Sequence, residues 1–331
     1  MRILIADKFE AAGVEGLEAL GCTVTVEPGL GPDTLAGALR SSEADVLVVR
    51  STKVPAAVIE GASALKGIIR AGAGYDNIDC AAADAKGISV CNCPGMNAIA
   101  VAELAIGHLI NLDRRIGEQT AELCAGNWNK AEFSKARGLK GRKLLVIGTG
   151  AIGTAVITRA KALGMEVWAQ SRRLGDDTAR ALGIRPISYT REAIIEALGE
   201  VDAVSMHVAS TPDTKNLCGP GFFGAMKPGA YFINTSRGDI VDEGELIKAI
   251  KEKGIRAGLD VYADQPAEKT CAFAPELAKL PGVSLTHHCG ASTDQAQMAV
   301  AEEVVRIVDE YQKNGRFENV VNTPAGAHAG A

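Results

Sequence analysis

Short runs rich in β-branched and aliphatic residues recur along the chain, separated by longer stretches of helical character. Runs that are apolar at consecutive positions are typical of parallel strands covered by helices on both faces. One series lies in the N-terminal part and comprises RILIAD, DVLVVRS, KGIIRAG and ISVCNCP. A second series follows Gly141 and comprises KLLVIG, MEVWAQ, DAVSMHV, GAYFINTS, RAGLDV and VSLTHH. The pattern predicts an α/β protein with two doubly wound parallel sheets.

The composition disfavours several classes of protein and partner. The 331 residues are enough for two ordinary domains, and a net charge of −5 argues against nucleic acid, whose binders usually carry a basic stripe. No stretch approaches the roughly 20 apolar residues of a membrane span, and the N-terminal apolar run is too short for a signal peptide. The eight cysteines form no CxxC pair. We therefore expect reduced thiols in a cytoplasmic protein without nucleic-acid, membrane or metal partners.

Two stretches have strong helical patterns. Residues 98–125 are almost wholly apolar in their first half, which predicts a helix buried between domains or at a subunit interface. Residues 292–313 predict a second helix, whose start matches a capping box of Ser292 and Gln295. Its apolar stripe would comprise Met298, Ala301, Val305, Val308 and Tyr311.

The segment LLVIGTGAIG places three glycines between a predicted strand and a predicted helix. Gly148 permits a tight turn, Gly150 lets the backbone approach a pyrophosphate at the helix N-terminus, and Gly153 allows close helix–strand packing. The pattern predicts a dinucleotide site, with a glycine-rich turn that binds nothing as the alternative. The expected contacts are Gly148, Thr149, Gly150, Ala151, Ile152 and Gly153.

The next predicted strand ends at Ser171, where NAD-binding sites usually carry a carboxylate for the adenosine ribose. Serine removes the repulsion that a carboxylate would exert on a 2′-phosphate. Arg172 and Arg173 follow and can pair with that phosphate. The sequence therefore favours NADP(H) and does not exclude NAD(H). A solvated basic loop is the alternative, as is an arginine stacked on adenine.

Four motifs stand in the order and spacing found in the D-isomer-specific 2-hydroxyacid dehydrogenases, namely GTGAIG, NTSRGDIVDEGELIKAI, AGLDVYADQP and THHCGAST. The chain resembles that family over residues 1–322, and most closely its 3-phosphoglycerate dehydrogenase branch. The upstream segments VVRSTKV, RAGAGYDNID and NAIAVAELAIG extend the resemblance.

The resemblance implies two Rossmann-like domains, with the cofactor domain inserted in a discontinuous substrate domain. A flavodoxin-like substrate domain would comprise residues 1–96 and 290–331, and a dinucleotide-binding domain would comprise residues 97–289. The active site would lie in a cleft between them that closes on the ligands. The resemblance also implies a homodimer or homotetramer, with the helix after Asn97 at the interface. It implies a short form without the C-terminal regulatory domain, and hence no serine feedback.

Three residues match the catalytic positions of the family. Arg237 would clamp the substrate carboxylate and polarise the keto oxygen, and His288 would donate and accept the proton. Gln265 stands where relatives carry a glutamate that stabilises the cationic histidine. A neutral amide can orient the ring but cannot supply charge, so we predict a lower His288 pKa than in those relatives and reduction favoured at lower pH. His287 would have a supporting role.

Further contacts follow from matching the family motifs. His108 lies in the apolar helix and is expected to be a core residue. The segment HVASTPDT resembles a family loop near the cofactor, with Ala209 in place of proline. The other expected cofactor contacts are His207, Val208, Ala209, Thr214, Thr235, Ser236, Arg237, Asp260, His288 and Gly290.

The segment RSTK supplies two cations at a strand end. In the phosphoglycerate dehydrogenases the matching loop faces the substrate phosphate, so Arg50, Ser51, Thr52 and Lys53 suggest a phosphorylated or otherwise doubly anionic substrate. A basic loop without a ligand is the alternative. The substrate carboxylate would meet the backbone around Ala73 and Gly74, together with Arg237 and His288.

These features predict an oxidoreductase that transfers hydride between NAD(P) and a D-2-hydroxy acid or 2-keto acid. The first expected pair is 3-phosphoglycerate and 3-phosphohydroxypyruvate. A hydroxypyruvate or glyoxylate reductase is the second hypothesis. A corepressor-like protein that senses NAD(H) is the third, because some relatives of this fold bind peptides in transcriptional control.

Overall fold

The computed structural model describes residues 1–266 and 270–325, so residues 326–331 of the predicted substrate domain lie outside it. Its strands are β1 Arg2–Ile5, β2 Thr23–Val26, β3 Val46–Val49, β4 Gly67–Arg70, β5 Ser89–Asn92, β6 Lys143–Ile147, β7 Glu166–Gln170, β8 Arg185–Pro186, β9 Ala203–Met206, β10 Tyr231–Asn234, β11 Arg256–Leu259 and β12 Val283–Leu285. Its helices are α1 Ala11–Ala19, α2 Pro32–Ser42, α3 Ala56–Glu60, α4 Cys80–Ala85, α5 Ala98–Arg114, α6 Ile116–Cys124, α7 Lys130–Phe133, α8 Ala151–Ala162, α9 Asp176–Leu182, α10 Arg191–Leu198, α11 Pro220–Ala225, α12 Glu243–Lys253 and α13 Asp294–Asn314.

The chain divides into two compact units. The first unit comprises Met1–Asn97 and Ser292–Ala331, and the second comprises Ala98–Ala291. Each unit contains a parallel sheet, of five strands in the first and seven in the second. The predicted α/β fold with two Rossmann-like units is therefore confirmed.

The sheet of the first unit has the order β2-β1-β3-β4-β5, and its strands other than β2 are buried on both faces. On one face Leu4 and Leu47 belong to a core that includes buried residues of α2 and α3. On the other face Ile5 and Val48 pack with buried residues of α1 and α13. Burial of alternate side chains on opposite faces explains why these strands are continuous apolar runs rather than alternating ones.

The sheet of the second unit has the order β12-β11-β10-β9-β6-β7-β8. The chain builds outward from β6 in two directions, so the order reverses between β6 and β9. In open parallel sheets such a reversal separates the flanking loops and leaves a crevice at the carboxyl ends of the strands. The fold therefore places a crevice beside the turn that follows β6.

The predicted helix over residues 98–125 is two helices. Within α5, Ala105 and Leu109 join a core that covers one face of the second unit's own sheet, so that unit buries the helix. The helix ends at Arg114, because Arg115 adopts a left-handed backbone (φ 55°). The Arg115 guanidinium binds carboxylates of Glu118 and Glu132 at 2.7 and 2.6 Å, which holds the break.

The predicted capping box at the start of the last helix is wrong by one residue. Thr293, not Ser292, is the N-cap, and its hydroxyl accepts the backbone N–H of Ala296 at 3.2 Å. The predicted stripe is right at Ala301 and Val308, which are buried. It is wrong at Met298, which is 38% exposed, because Val300, Val304 and Ile307 form the buried face instead.

None of the helices within the described residues has both the length and the apolar character needed to cross a bilayer.

Candidate active site

The predicted cofactor residues of the second unit all follow the carboxyl ends of its strands. The turn of Gly148–Gly153 follows β6, and the segments that begin at Ser171, His207, Thr235, Asp260 and Thr286 follow β7, β9, β10, β11 and β12. Because all these strands are parallel, their carboxyl ends share one edge of the sheet. The fold therefore collects these residues along one edge of the sheet that includes the reversal point.

The glycines after β6 are required for different reasons. Gly148 has φ +98°, and a Cβ there would lie 2.2 Å from the carbonyl oxygen of His207. A Cβ at Gly153 would lie 1.9 Å from the Gly148 carbonyl oxygen. Gly150 has φ −68°, and no atom beyond its own residue and its chain neighbours lies within 4 Å of its Cβ position. The packing of the chain thus requires Gly148 and Gly153, whereas Gly150 leaves open space at the N-terminus of α8, as the approach of a pyrophosphate needs.

A buried hydroxyl beside β10 also fits a polar ligand. Thr235 is 7% exposed, and its Oγ1 has no hydrogen-bond partner within the described chain. A buried polar atom without a partner costs about 1–3 kcal/mol, which a bound hydrogen-bonding group would offset. The open space at Gly150 and this hydroxyl are the two features of this sheet edge that a bound dinucleotide would use.

Asn234 at the end of β10 organises the turn that carries Arg237. Its Oδ1 accepts hydrogen bonds from the N–H and hydroxyl of Ser236 at 3.0 and 2.7 Å, and its Nδ2 donates to the Arg237 carbonyl at 2.8 Å. The half-buried Arg237 guanidinium donates from Nη1 to the Ser236 carbonyl at 2.8 Å. A fully buried amide thus sets the backbone on which this guanidinium is presented.

Asp260 holds the turn that carries His288. This carboxylate is 2% exposed and accepts the Thr286 hydroxyl at 2.6 Å and the N–H groups of Cys289 and Gly290 at 2.9 and 2.8 Å. These bonds flank His288, whose φ of +51° is costly for a residue with a side chain. We infer that the network imposes this conformation, as is common for strained residues at functional sites.

The side chain of Gln265 joins His288 to a fixed backbone group. Its Oε1 accepts the Tyr262 N–H at 3.3 Å, and its Nε2 lies 2.7 Å from Nδ1 of the exposed His288 ring. With this amide orientation Nε2 of Gln265 donates and Nδ1 of His288 accepts, so the ring proton of a neutral His288 lies on its own Nε2. The Tyr262 hydroxyl donates to the Thr286 carbonyl at 2.8 Å, which ties the two turns together.

The other described histidines have different environments. His108 is 2% exposed, with Nδ1 2.8 Å from the Ser284 hydroxyl, and burial lowers its pKa although Asp260 opposes this. Burial lowers the pKa of His207 to about 4, and its Nε2 lies 2.8 Å from the Ser205 hydroxyl. Both rings are therefore neutral near pH 7. His287 is exposed beside His288.

The loop after β9 is closed by Thr214. Its hydroxyl donates to the Ala209 carbonyl at 2.7 Å and accepts the Thr211 N–H at 2.8 Å. Val208 is half-buried and Ala209 is exposed. These two hydrogen bonds fix the conformation of the loop after β9, and they occupy the Thr214 hydroxyl.

The basic segment after β7 has exposed cations. Gln170 is 4% exposed, and its Nε2 donates to the carbonyls of Ser188 and Thr190 at 2.7 and 2.9 Å. Ser171 is half-buried, whereas Arg172 and Arg173 are exposed. A rigid strand end thus carries two guanidinium groups that face solvent.

The predicted substrate residues of the first unit follow β3 and β4. The carboxylate of Asp7 accepts the N–H groups of Arg50, Ser51 and Thr52 at 2.7, 3.0 and 3.0 Å, and the Ser51 hydroxyl at 2.8 Å. Lys53 is exposed. The hydroxyl of Ser51 and the amides of the loop are therefore committed to the protein.

The segment after β4 is held from the neighbouring strand end. The amide of Asn92 donates to the Ala73 carbonyl at 2.6 Å, and both Ala73 and Gly74 are partly exposed. Among the described residues, no group of three His, Cys, Asp or Glu side chains could hold a metal ion.

Residues 106–290 match the family model described as "D-isomer specific 2-hydroxyacid dehydrogenase, NAD binding domain". The chain belongs to this family. The match covers most of the second unit, including the turn after β6 and the residues around Arg237 and His288.

Relatives of this family member extend the similarity to both units. D-3-phosphoglycerate dehydrogenase of Methanocaldococcus jannaschii is 38% identical over 98% of this chain and 60% of its own length. Glyoxylate reductase of Thermococcus litoralis is 38% identical over 85% of this chain and 84% of its own length. The structure of NAD⁺-bound 3-phosphoglycerate dehydrogenase of Entamoeba histolytica is 25% identical over 98% of this chain and 99% of that chain, with a TM-score of 0.80.

The chain spans 50–60% of the length of the phosphoglycerate dehydrogenases that it matches first.

Sequence reasoning missed the organising residues of this family member. Asp7 and Asn234 were not expected at the site, and Asp260 was expected only to contact the cofactor. Each is a buried polar residue at or just beyond the end of an apolar strand, and that position is the signal that could have identified it.

Proposed function

We propose that this chain is an NAD(P)-dependent D-2-hydroxyacid dehydrogenase that interconverts a D-2-hydroxy acid and its 2-keto acid. The observation that carries the proposal is the contact between Gln265 and His288. His288 lies in a strained turn that Asp260 holds through the next two residues. This turn lies at the same edge of the sheet as the glycine turn after β6. Strain and buried anchoring around an exposed imidazole are costly for a residue without a function.

The chain's residues fit the binding and proton steps of such a reaction. A bound nicotinamide supplies the hydride chemistry. The N-terminus of α8 and the space at Gly150 would receive the pyrophosphate. Arg237 would bind the carboxylate of the acid and polarise its keto oxygen. The imidazolium of His288 would give its Nε2 proton to that oxygen during reduction, which leaves the neutral ring with its proton on Nδ1, and Nε2 of that ring would take the proton back during oxidation. Both steps require the Gln265 amide to turn so that its Oε1 accepts from Nδ1–H.

The experiment is a matrix of two cofactors and three keto acids. Purified protein is assayed with NADPH or NADH against 3-phosphohydroxypyruvate, hydroxypyruvate and glyoxylate, and in reverse with 3-phosphoglycerate. We expect turnover that Arg237→Gln and His288→Asn each reduce by about 10²-fold or more in kcat/KM, a typical effect for a lost proton donor or carboxylate clamp. Cofactor binding without turnover in any combination would refute the proposal and favour a nucleotide-sensing binding protein.

We propose NADP(H) as the preferred cofactor. The support is the absence of a carboxylate at Ser171 and the exposure of Arg172 and Arg173 at a rigid strand end. Arg172→Gln with Arg173→Gln should raise KM for NADPH about tenfold or more and change KM for NADH little, because charge-assisted bonds to a phosphate are strong. Equal effects on both cofactors would contradict the preference.

We propose a doubly anionic keto acid, such as 3-phosphohydroxypyruvate, as the substrate. The support is the half-buried Arg50 and exposed Lys53 after β3, together with the similarity to phosphoglycerate dehydrogenases. The second candidate is reduction of glyoxylate or hydroxypyruvate, which the match to most of the T. litoralis glyoxylate reductase favours. The ratio of kcat/KM for 3-phosphohydroxypyruvate and hydroxypyruvate separates the two.

We propose a homodimer or homotetramer in which a second copy covers α6 and the segment after it. No residue of α6 is buried, and Ile116, Leu123 and Trp128 are 50%, 56% and 79% exposed. Neighbouring apolar side chains at such exposure are typical of an interaction surface. Trp128→Glu combined with Leu123→Glu should reduce the mass measured by light scattering, and an unchanged mass would place the interface elsewhere.

A further inference from the structure

The carboxylate of Asp7 is 4% exposed and lies two residues beyond the end of β1. Its Oδ2 accepts three consecutive backbone N–H groups, from Arg50, Ser51 and Thr52, at 2.7–3.0 Å. Its Oδ1 accepts the Ser51 hydroxyl at 2.8 Å. Burial alone would raise the pKa of Asp7, but the hydrogen bonds from this loop outweigh burial and lower it.

Three consecutive N–H groups converging on one point usually form a nest that binds an external anion. Here the anion is part of the protein, so the nest is filled by Asp7. An anionic substrate at this loop cannot use these amides unless it displaces a buried carboxylate. Recognition of such a substrate by residues 50–52 therefore depends on their side chains.

The side chains that remain are Arg50 and Lys53. The guanidinium of Arg50 is held by Gln297 of α13, whose Oε1 accepts from Nη1 at 2.6 Å. A second hydrogen bond anchors the loop from the other side, because the amide of Asn77 donates to the Thr52 carbonyl at 2.7 Å. Backbone and guanidinium are thus fixed by separate residues, which reduces the entropy lost when an anion binds.

We propose that Asp7 and Gln297 are positioning residues. They hold the loop after β3 so that it binds a second anionic group of the substrate, at the opposite end of the molecule from the keto acid. Asp7 fixes the backbone of residues 50–52, and Gln297 fixes the direction of the Arg50 guanidinium. The inference rests on the proposed function. It adds that discrimination between phosphorylated and unphosphorylated keto acids depends on these two residues, neither of which needs to touch the substrate.

The test compares Asp7→Asn and Gln297→Leu with the unmodified protein. Asparagine keeps the shape of Asp7 but replaces one acceptor oxygen with an NH₂ group, and leucine leaves the loop backbone untouched. We expect KM for 3-phosphohydroxypyruvate to rise about tenfold in each variant, whereas KM for hydroxypyruvate and kcat for both change less than about twofold, since a misplaced charge weakens binding of the distal anion only.

Asp45→Asn is the matched control. Asp45 also accepts a backbone N–H, from Arg2 at 2.8 Å, but it precedes β3 at the opposite end of the strand from Arg50. We expect this variant to keep the KM ratio of the two substrates even if its unfolding midpoint falls. If Asp7→Asn does not fold, Gln297→Leu still tests the role of the guanidinium.

The outcomes separate the inference from the proposed function. Failure of the unmodified protein to reduce any keto acid refutes the proposed function. Turnover with equal KM changes for both substrates, or with none, overturns the positioning role. Reduction of hydroxypyruvate with no saturation by 3-phosphohydroxypyruvate in the unmodified protein also overturns it, because the loop would then recognise no distal anion.

Discussion

At the scale of single residues, the orientation of Gln265 has a consequence for pH. Its Nε2 donates to Nδ1 of His288, and an imidazolium there would place two N–H groups face to face. Protonation therefore requires the amide to rotate and lose its bond to the Tyr262 N–H. A glutamate would accept from the imidazolium without such a cost.

Gln265→Glu should therefore move the alkaline limb of the keto-acid reduction profile to higher pH, by about one unit for a new carboxylate partner. The measurement is kcat/KM for reduction from pH 5 to 9. Gln295→Glu adds the same charge at an exposed position on α13 and should leave the profile unchanged. Superimposable profiles for the unmodified protein and Gln265→Glu would reject the coupling.

The backbone of His288 gives a second expectation at this scale. Because φ is +51°, the free energy of unfolding of His288→Ala should be about 1 kcal/mol lower than that of His288→Gly. This order is the reverse of the one that alanine and glycine show in helices. Urea unfolding of His288→Ala and His288→Gly measures the difference. Equal stability would mean that the turn relaxes when the ring is removed.

The sequence predicted the site residues whose type the chemistry restricts. It did not predict the residues that hold them in place. The glycines after β6, Arg237 and His288 occur in motifs whose spacing the reaction itself requires. Asp7 lies 43 positions from Arg50 along the chain, and Asp260 lies 29 from Cys289. Only the pairing of parallel strands brings such residues together, so their organising roles became visible in the fold alone.

At the scale of elements, different glycines of the strand–turn–helix unit around α8 are needed for folding and for cofactor binding. Gly150→Ala should fold with little loss, because φ is −68° and the Cβ position is open, but it should weaken NADPH binding about tenfold or more by filling the approach of the pyrophosphate. Gly153→Ala should instead lower the unfolding midpoint, because its Cβ would lie 1.9 Å from a carbonyl oxygen. Fluorescence titration and thermal melts of the two variants check this contrast.

The element boundaries that the sequence missed have long-range causes. The break after α5 depends on Arg115, whose partner Glu132 lies beyond α6. The start of α13 was misplaced because Ser292 and Thr293 are both competent caps, and local pattern does not choose between them. Ten of the described strands were predictable, since burial on two faces makes each a continuous apolar run. β2 and β8 were missed, because β2 alternates threonine with valine and β8 comprises only Arg185 and Pro186.

At the scale of the whole molecule, stability should fall on mild acidification. The pKa of His207 is lowered to about 4 by burial, so the unfolded chain, with a value near 6.5, binds the proton first. The free energy of unfolding is therefore highest above pH 6.5 and decreases towards pH 4. Asp7 acts in the same direction, since its pKa is lowered as well, but its contribution is lost only below about pH 3.8, the value of an unperturbed aspartate.

Urea unfolding at pH 7.5 and 5 measures this loss, and His207→Gln, which cannot be protonated, should show a smaller one. An equal loss in the variant would assign the effect to other groups, of which His108 is the next candidate, since burial lowers its pKa as well.

All the candidate residues of the second unit lie beyond the carboxyl ends of its strands, so none of them lies on the opposite rim. The exposed turn at Gly199 and Glu200 precedes β9 on that rim. An affinity tag or a fluorescent reporter inserted there could anchor the protein to a bead or a sensor surface and leave the candidate site accessible.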